Sequence, residues 1–188
     1  MLVAATLAGC SSSPKSRFYT LSSGAILEHS DAKAQYSVAV GPVTVPDIID
    51  RPQIVTSIAT NQVQIAEQAR WAAPLKSEIP RVIAGNLMQL LDGAYVYVYP
   101  QNIGLNADYQ VLLEVQRFDS KLGDAVTVEA LWAVRPAQGG TPKNGRSVVR
   151  EPTNSEGYDA LVAAYSRALT AVSRDIAEAI RALGASSR

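Results

Sequence analysis

The chain has 188 residues with 17 basic and 17 acidic side chains, so its formal net charge is zero. No basic run or stripe is present, which removes the electrostatic footprint that a nucleic-acid binder needs. The length suffices for one domain with a sizeable core, while a single cysteine and a single histidine exclude an internal disulfide and leave little from which to build a metal site.

Residues 1–10 are a short apolar run ending in Leu7-Ala8-Gly9-Cys10, followed by three serines and Pro14. The run is too short to span a bilayer, which takes about 20 residues. It suits the apolar core of a signal peptide that lacks its usual basic start. Its ending resembles a bacterial lipobox, the cleavage site ahead of a diacylated cysteine. On that reading residues 1–9 are a truncated signal peptide, residues 10–16 a lipidated polar tether and residues 17–188 the domain proper. Diacylglycerol and a further acyl chain on Cys10 would attach the protein stably, because one chain alone binds only marginally.

Residues 17–21 read as a first strand, rich in aromatic and β-branched types. Residues 22–34 are turn-prone and place His29 in a polar loop as a solvated residue. Residues 36–45 form the next strand, with Gly41 and Pro42 marking a bulge or an edge position. In the turn at 46–52, Asp47 and Asp50 favour reversal and Pro52 keeps Arg51 out of a helix. Two short strands follow over 53–59 and 61–66. In the second, Val63 and Ile65 alternate with Gln62 and Gln64, which predicts a buried apolar face and a wet polar one.

The helical spacing of Leu75, Ile79, Val82, Leu87 and Leu90 predicts a helix over 74–91, which Pro80 should kink or restart. Residues 94–100 are a strand with Tyr95, Tyr97 and Tyr99 on one face and valines on the other. Strands over 109–118 and 124–135 pair about a turn at Gly123. A loop with Gly139, Gly140, Asn144 and Gly145 leads to a short strand over 146–150. Thr153 and Glu156 have the spacing of a capping box, opening a helix over 157–183 with Gly184 as its stop. Its apolar stripe runs Tyr158, Leu161, Tyr165, Leu169, Val172, Ile176, Ile180 and Leu183. Strands plus two long amphipathic helices predict a single α/β domain, the helices packed on a mixed β-sheet.

The chain reads as a non-enzyme. No base stands near a nucleophile, no phosphate-binding glycine loop is present, and Cys10 is committed to acylation. Asp47 and Asp50 need no catalytic role beside Arg51 in a turn. Three features each admit two readings. Ala163, Ala164, Ala168, Ala171, Ala177 and Ala179 let the last helix lie close on its sheet or form a partner surface. The tyrosine face is sheet packing or an interface. Ile48 and Ile49, adjacent in a turn, are tucked into the core or covered by something else.

Four segments together resemble one family. They are Phe18-Tyr19-Thr20-Leu21 after the lipobox, then Val40-Gly-Pro-Val-Thr-Val-Pro-Asp-Ile-Ile-Asp-Arg-Pro-Gln-Ile-Val55, then Arg70-Trp71-Ala-Ala-Pro-Leu75, and Tyr158-Asp-Ala-Leu-Val-Ala-Ala-Tyr-Ser-Arg-Ala-Leu169. The chain thereby resembles the PqiC-like ABC-type transport auxiliary lipoproteins over nearly all of its mature length, the segment from Val40 to Val55 being the most specific. The resemblance implies an outer-membrane lipoprotein facing the periplasm, with Ser11 after the cysteine matching the outer-membrane sorting pattern. It implies an MCE-domain tunnel protein as partner, with PqiA-like or ABC transporter subunits in the inner membrane, in the transport of lipids or other hydrophobic molecules. The subunit would dock and anchor, with no cofactor beyond the lipid on Cys10, and with room for a homo-oligomer. The docking candidates are Asp47, Ile48, Ile49, Asp50 and Arg51. The alternatives are a periplasmic lipid-binding module, which predicts a co-purifying lipid, and a structural envelope-assembly lipoprotein, which predicts assembly genes beside its own.

Overall fold

The runs rich in β-branched residues become strands and the two stretches with helical apolar spacing become helices. The computed structural model describes residues 15–24, 35–100 and 106–186. Its elements run β1 (Arg17–Tyr19), β2 (Tyr36–Thr44), β3 (Gln53–Ala59), β4 (Gln62–Trp71), α1 (Leu75–Leu90), β5 (Ala94–Val98), β6 (Tyr109–Ser120), β7 (Ala125–Pro136), β8 (Lys143–Pro152) and α2 (Tyr158–Ser186). The α/β class holds, with the strands divided between two sheets where one was expected. Their orders are β1-β4-β3 and β5-β2-β6-β7-β8.

β2 lies inside the larger sheet with parallel neighbours β5 and β6. A strand between parallel neighbours is buried on both faces and reads as an unbroken apolar run, which Val38, Ala39 and Val40 supply at 3% exposure or less. The ladder to β6 shifts register between Val40 and Val43. Gly41 takes a φ of +119° there and the Gly41–Pro42 peptide is cis. Proline has no N–H for a ladder, so this pair makes a bulge in an interior strand and not an edge.

α1 packs over β2 and β5, α2 over β7 and β8, and the two helices pack on each other. The predicted stripe of α2 is the buried one: Leu161, Tyr165, Leu169, Val172, Ile176 and Ile180 are all at or below 1% exposure. Ala164, Ala168, Ala177 and Ala179 are buried with it, so these small residues serve close packing, while Ala163 is exposed. Between the helices the buried Asn86 donates to Ser173 Oγ at 3.1 Å and accepts from Gly24 N–H at 2.8 Å.

Several boundaries differ from expectation, each for a local reason. α1 runs unbroken through Pro80; so early in a helix the proline forfeits a single ladder bond without restarting it. α2 continues past Gly184 to Ser186, because glycine is only permissive of a stop and does not impose one. The capping box is not formed. Thr153 donates its N–H and its hydroxyl to Asp124 O, at 2.9 and 3.3 Å, tying the helix entry to the β6–β7 turn.

β8 is longer than the short strand expected, and Asn144 and Gly145 stand in its ladder opposite Ala133 and Trp132. Gly145 provides room: a Cβ there would lie 2.1 Å from Trp132 Cζ2. The indole is fixed over it by an N–H bond to Ser147 Oγ at 3.0 Å, and that hydroxyl donates in turn to Asp175 on α2. Gly145→Ala is expected to destabilise the fold by about 2 kcal/mol through overpacking. The check is a lower urea midpoint at unchanged slope.

The small sheet closes one end of the core. Phe118 and Tyr165 stack at 3.9 Å between centroids, and Trp71 of β4 packs edge-on against both. After β1 the chain is clamped to α1. The buried Glu78 accepts from Thr20 Oγ1 at 2.6 Å and Leu21 N–H at 3.1 Å, and Arg81 donates to Glu78 and to Leu21 O, both at 2.8 Å.

Candidate functional site

The turn at 46–52 joins the end of β2 to the start of β3 and is held by two backbone bonds, Ile49 N–H to Pro46 O at 3.1 Å and Asp50 N–H to Asp47 O at 3.2 Å. A tight reversal points neighbouring side chains in different directions, and the isoleucine pair divides accordingly. Ile49 is 7% exposed and joins the core, while Ile48 is 47% exposed. The core reading therefore describes Ile49, and Ile48 is left exposed.

The arm after the turn meets the segment between β4 and α1. Trp71 N–H donates to Pro52 O at 2.7 Å, and Asp50 pairs with Lys76 Nζ at 2.6 Å. That carboxylate holds the Lys76 ammonium above its ordinary range through its hydrogen bond and its charge. Between the two arms lies a cleft of about 270 Å³ lined by Asp50, Arg51, Pro52, Trp71, Ala72, Ala73 and Pro74. Arg51 is one of these lining residues, and its Nε is buried without a hydrogen-bond partner, a desolvated donor left unmet. Two of the four segments that carry the resemblance, separate in the chain, thus form opposite walls of one cleft. Of the five turn residues, Asp50 and Arg51 line this cleft, while Ile48 stands exposed in the same turn and Ile49 is buried in the core.

Sequence reasoning had no signal for Lys76 as the partner of Asp50, nor for the meeting of Arg51 with Trp71. The tyrosine face forms as expected on the side of the large sheet away from the helices. Tyr95 and Tyr97 rings lie 5.8 Å apart, with Tyr97 buried and Tyr95 and Tyr99 half exposed. A second cleft of about 560 Å³ opens by Tyr36, Tyr109, Pro136 and Leu183. Cys10 and His29 lie outside the described residues. Among the described residues no three His, Cys, Asp or Glu side chains converge as a metal would require, and no helix is long and apolar enough to cross a membrane.

Comparison with known proteins gives a family and a fold. A family model described as "ABC-type transport auxiliary lipoprotein component" matches residues 19–177. A crystal structure of an uncharacterized protein superposes with a TM-score of 0.74 at 22% identity, covering 89% of this chain and 99% of that one. A Xanthomonas campestris protein of the DUF330 family superposes at 0.70 with 19% identity, over 92% of this chain and 100% of that one. A PelC dodecamer from Paraburkholderia phytofirmans reaches a TM-score of 0.44 at 13% identity, over 82% of this chain and 92% of that one. No curated protein matches the sequence significantly.

Proposed function

The chain belongs to the ABC-type transport auxiliary lipoprotein family, and from that premise we propose that it is the docking and anchoring subunit of an MCE-type transport system between two membranes. Cys10 carries the lipid anchor, in the outer membrane and on its periplasmic side, and the cleft beside the turn at 46–52 receives the MCE-domain partner. One observation carries the docking reading. A cleft built jointly by two segments distant in the chain is lined by Arg51, whose Nε has no hydrogen-bond partner, and the exposed Ile48 stands in the same turn. Apolar surface beside an unpaired donor is the combination found at partner anchors, where a desolvated arginine gains most from a carbonyl or carboxylate.

The family is not a known enzyme family, and the role proposed here needs no chemistry from the chain. The inner-membrane machinery, whether PqiA-like or an ABC transporter, supplies the work, and this subunit supplies position.

Ile48→Asp is the direct test, because Ile48 is half exposed in the turn and is not part of the core cluster. Co-purification with the MCE-domain partner should fall by about tenfold, as for loss of an interface anchor. Thermal unfolding should stay unchanged, as for a surface substitution. Undiminished co-purification would remove the turn from the interface.

A further inference from the structure

The β3–β4 hairpin ends in a surface that the chain itself leaves uncovered. Residues 58–65 are exposed without interruption, including Ile58 at 49%, Val63 at 47% and Ile65 at 36%. The expectation that Val63 and Ile65 would face the core fails here. Between its pairs with Gln53 and Val55, β4 passes from Arg70 to Ile65, and this irregularity turns the strand over. Val55 pairs with Ile65 and Ser57 with Val63, so these residues share the face away from the core. Ile58 follows Ile54 and Thr56 on the other face, beyond the point where the core ends.

The tip thus carries Val55, Val63 and Ile65 on one face, and Ile58 with Gln62 and Gln64 on the other. No charged residue occurs from 53 through 66, and among the described residues no strand covers β3 on its outer side or β4 before Ala69. Sheets that meet only water guard such edges with charges or proline.

The direction of the chain identifies the medium. β1 runs parallel to β4 with Arg17 beside Ala69, so the segment preceding Arg17 departs toward the hairpin tip, and Ser16 Oγ still reaches Gln68 Oε1 at 3.4 Å. The stretch from Cys10 to Arg17 reaches at most about 25 Å when extended. The stretch from Gln62 to Ala69 has the same number of residues and measures roughly 24 Å as a strand. A lipid on Cys10 thus sets a bilayer within reach of the tip and on its side of the molecule.

We propose that the β3–β4 tip seats in the lipid interface as a second membrane contact, fixing how the domain stands on the bilayer. The hairpin lies on its outer face, so that Val63 and Ile65 meet the boundary between headgroups and acyl chains, Gln62 and Gln64 on the other face stay among headgroups, and no charge has to be desolvated. The turn at 46–52 sits at the other end of β3, roughly 24 Å away, on the side open to a partner. This inference rests on acylation of Cys10 as proposed above.

The experiment places a tryptophan reporter at Val63→Trp in the full-length acylated protein. The protein is reconstituted in phosphatidylethanolamine–phosphatidylglycerol vesicles doped with phosphatidylcholine brominated high on its acyl chains. Met88→Trp, exposed on α1, is the control, and Ile65→Trp repeats the test should the first variant misfold. Native Trp71 and Trp132 are buried and contribute a constant background. Tip reporters should lose about half of their added emission at this interfacial depth, and the control none. Acylated protein that floats with the vesicles while its tip reporters are quenched no more than the control overturns the hairpin contact and leaves the anchor standing. Protein whose mass shows no lipid on Cys10 and which fails to float overturns the anchor, and the hairpin contact with it.

Discussion

Tyr165→Ala should be the most damaging single substitution in this fold, lowering stability by about 4 kcal/mol, as large-to-small changes of buried aromatics do. For a chain of this size that is a fall of roughly 12 °C in the midpoint of thermal unfolding. Tyr165 is 1% exposed, stacks on Phe118 and meets Trp71 edge-on, so its ring joins α2, the large sheet and the small sheet. Its hydroxyl donates to Phe118 O at 2.8 Å, and burial pushes the phenol above its ordinary range, keeping that donor protonated. Tyr165→Phe isolates the hydroxyl and should cost about 1 kcal/mol. A Tyr165→Ala loss no larger than that of Tyr165→Phe would mean that the three elements are not joined through this ring.

The second large effect is pH-dependent and concerns Glu78. Burial works to raise its pKa, but hydrogen bonds from Arg81 and Thr20, the Arg81 charge and the Leu21 N–H together hold the carboxyl below the ordinary glutamate range. A folded-state value below the unfolded one means that the carboxylate stabilises fully above the unfolded value, about pH 4.3. That contribution disappears as pH falls from there through the lower folded value. Glu78→Gln should cost about 2 kcal/mol at neutral pH, the worth of a charge-assisted network at a buried carboxylate. The difference between the two proteins should narrow as the solution is acidified below pH 4.3. Urea midpoints measured across that range provide the check. A gap that stays constant with pH would assign the loss to packing instead of charge.

The parts of this fold that were legible from sequence are those where one residue type has one physical use. The β-branched run of β2 foretold a strand, Gly41 and Pro42 foretold a bulge or an edge position there, and the leucine and isoleucine spacing of α2 foretold its buried face. What was not legible depends on contacts between distant residues. Gly145 reads as a loop glycine until Trp132 is known to lie over it. Thr153 has the spacing of a cap until Asp124 O takes its hydroxyl. Val63 and Ile65 alternate like a half-buried strand, but the irregularity at Ala66 and Ala69 that turns them outward leaves no local trace. At the candidate site the turn itself was legible from Asp47, Asp50 and Pro52. The cleft was not, because its second wall at Trp71 and Pro74 arrives through pairing across the small sheet. The Glu78–Arg81 clamp was likewise half visible, since their spacing makes a helical pair and nothing local announces Thr20.

If Cys10 carries the lipid anchor proposed above, the same clamp has a mechanical meaning. Tension between a lipid anchor and a partner seated elsewhere on the domain enters through Arg17 and is directed along β1, parallel to the axis of β4. Pulled in that direction the ladder bonds of β1 share the load in shear and cannot be unzipped one at a time. Only three residue pairs carry that load, and the next resistance is the pair of Arg81 bonds and the Glu78 carboxylate gripping Thr20 and Leu21. Beyond it lies Leu21, 1% exposed, whose extraction would open the core. On that reading the clamp would act as a force stop, letting the tether strain without the domain unravelling from its anchored end.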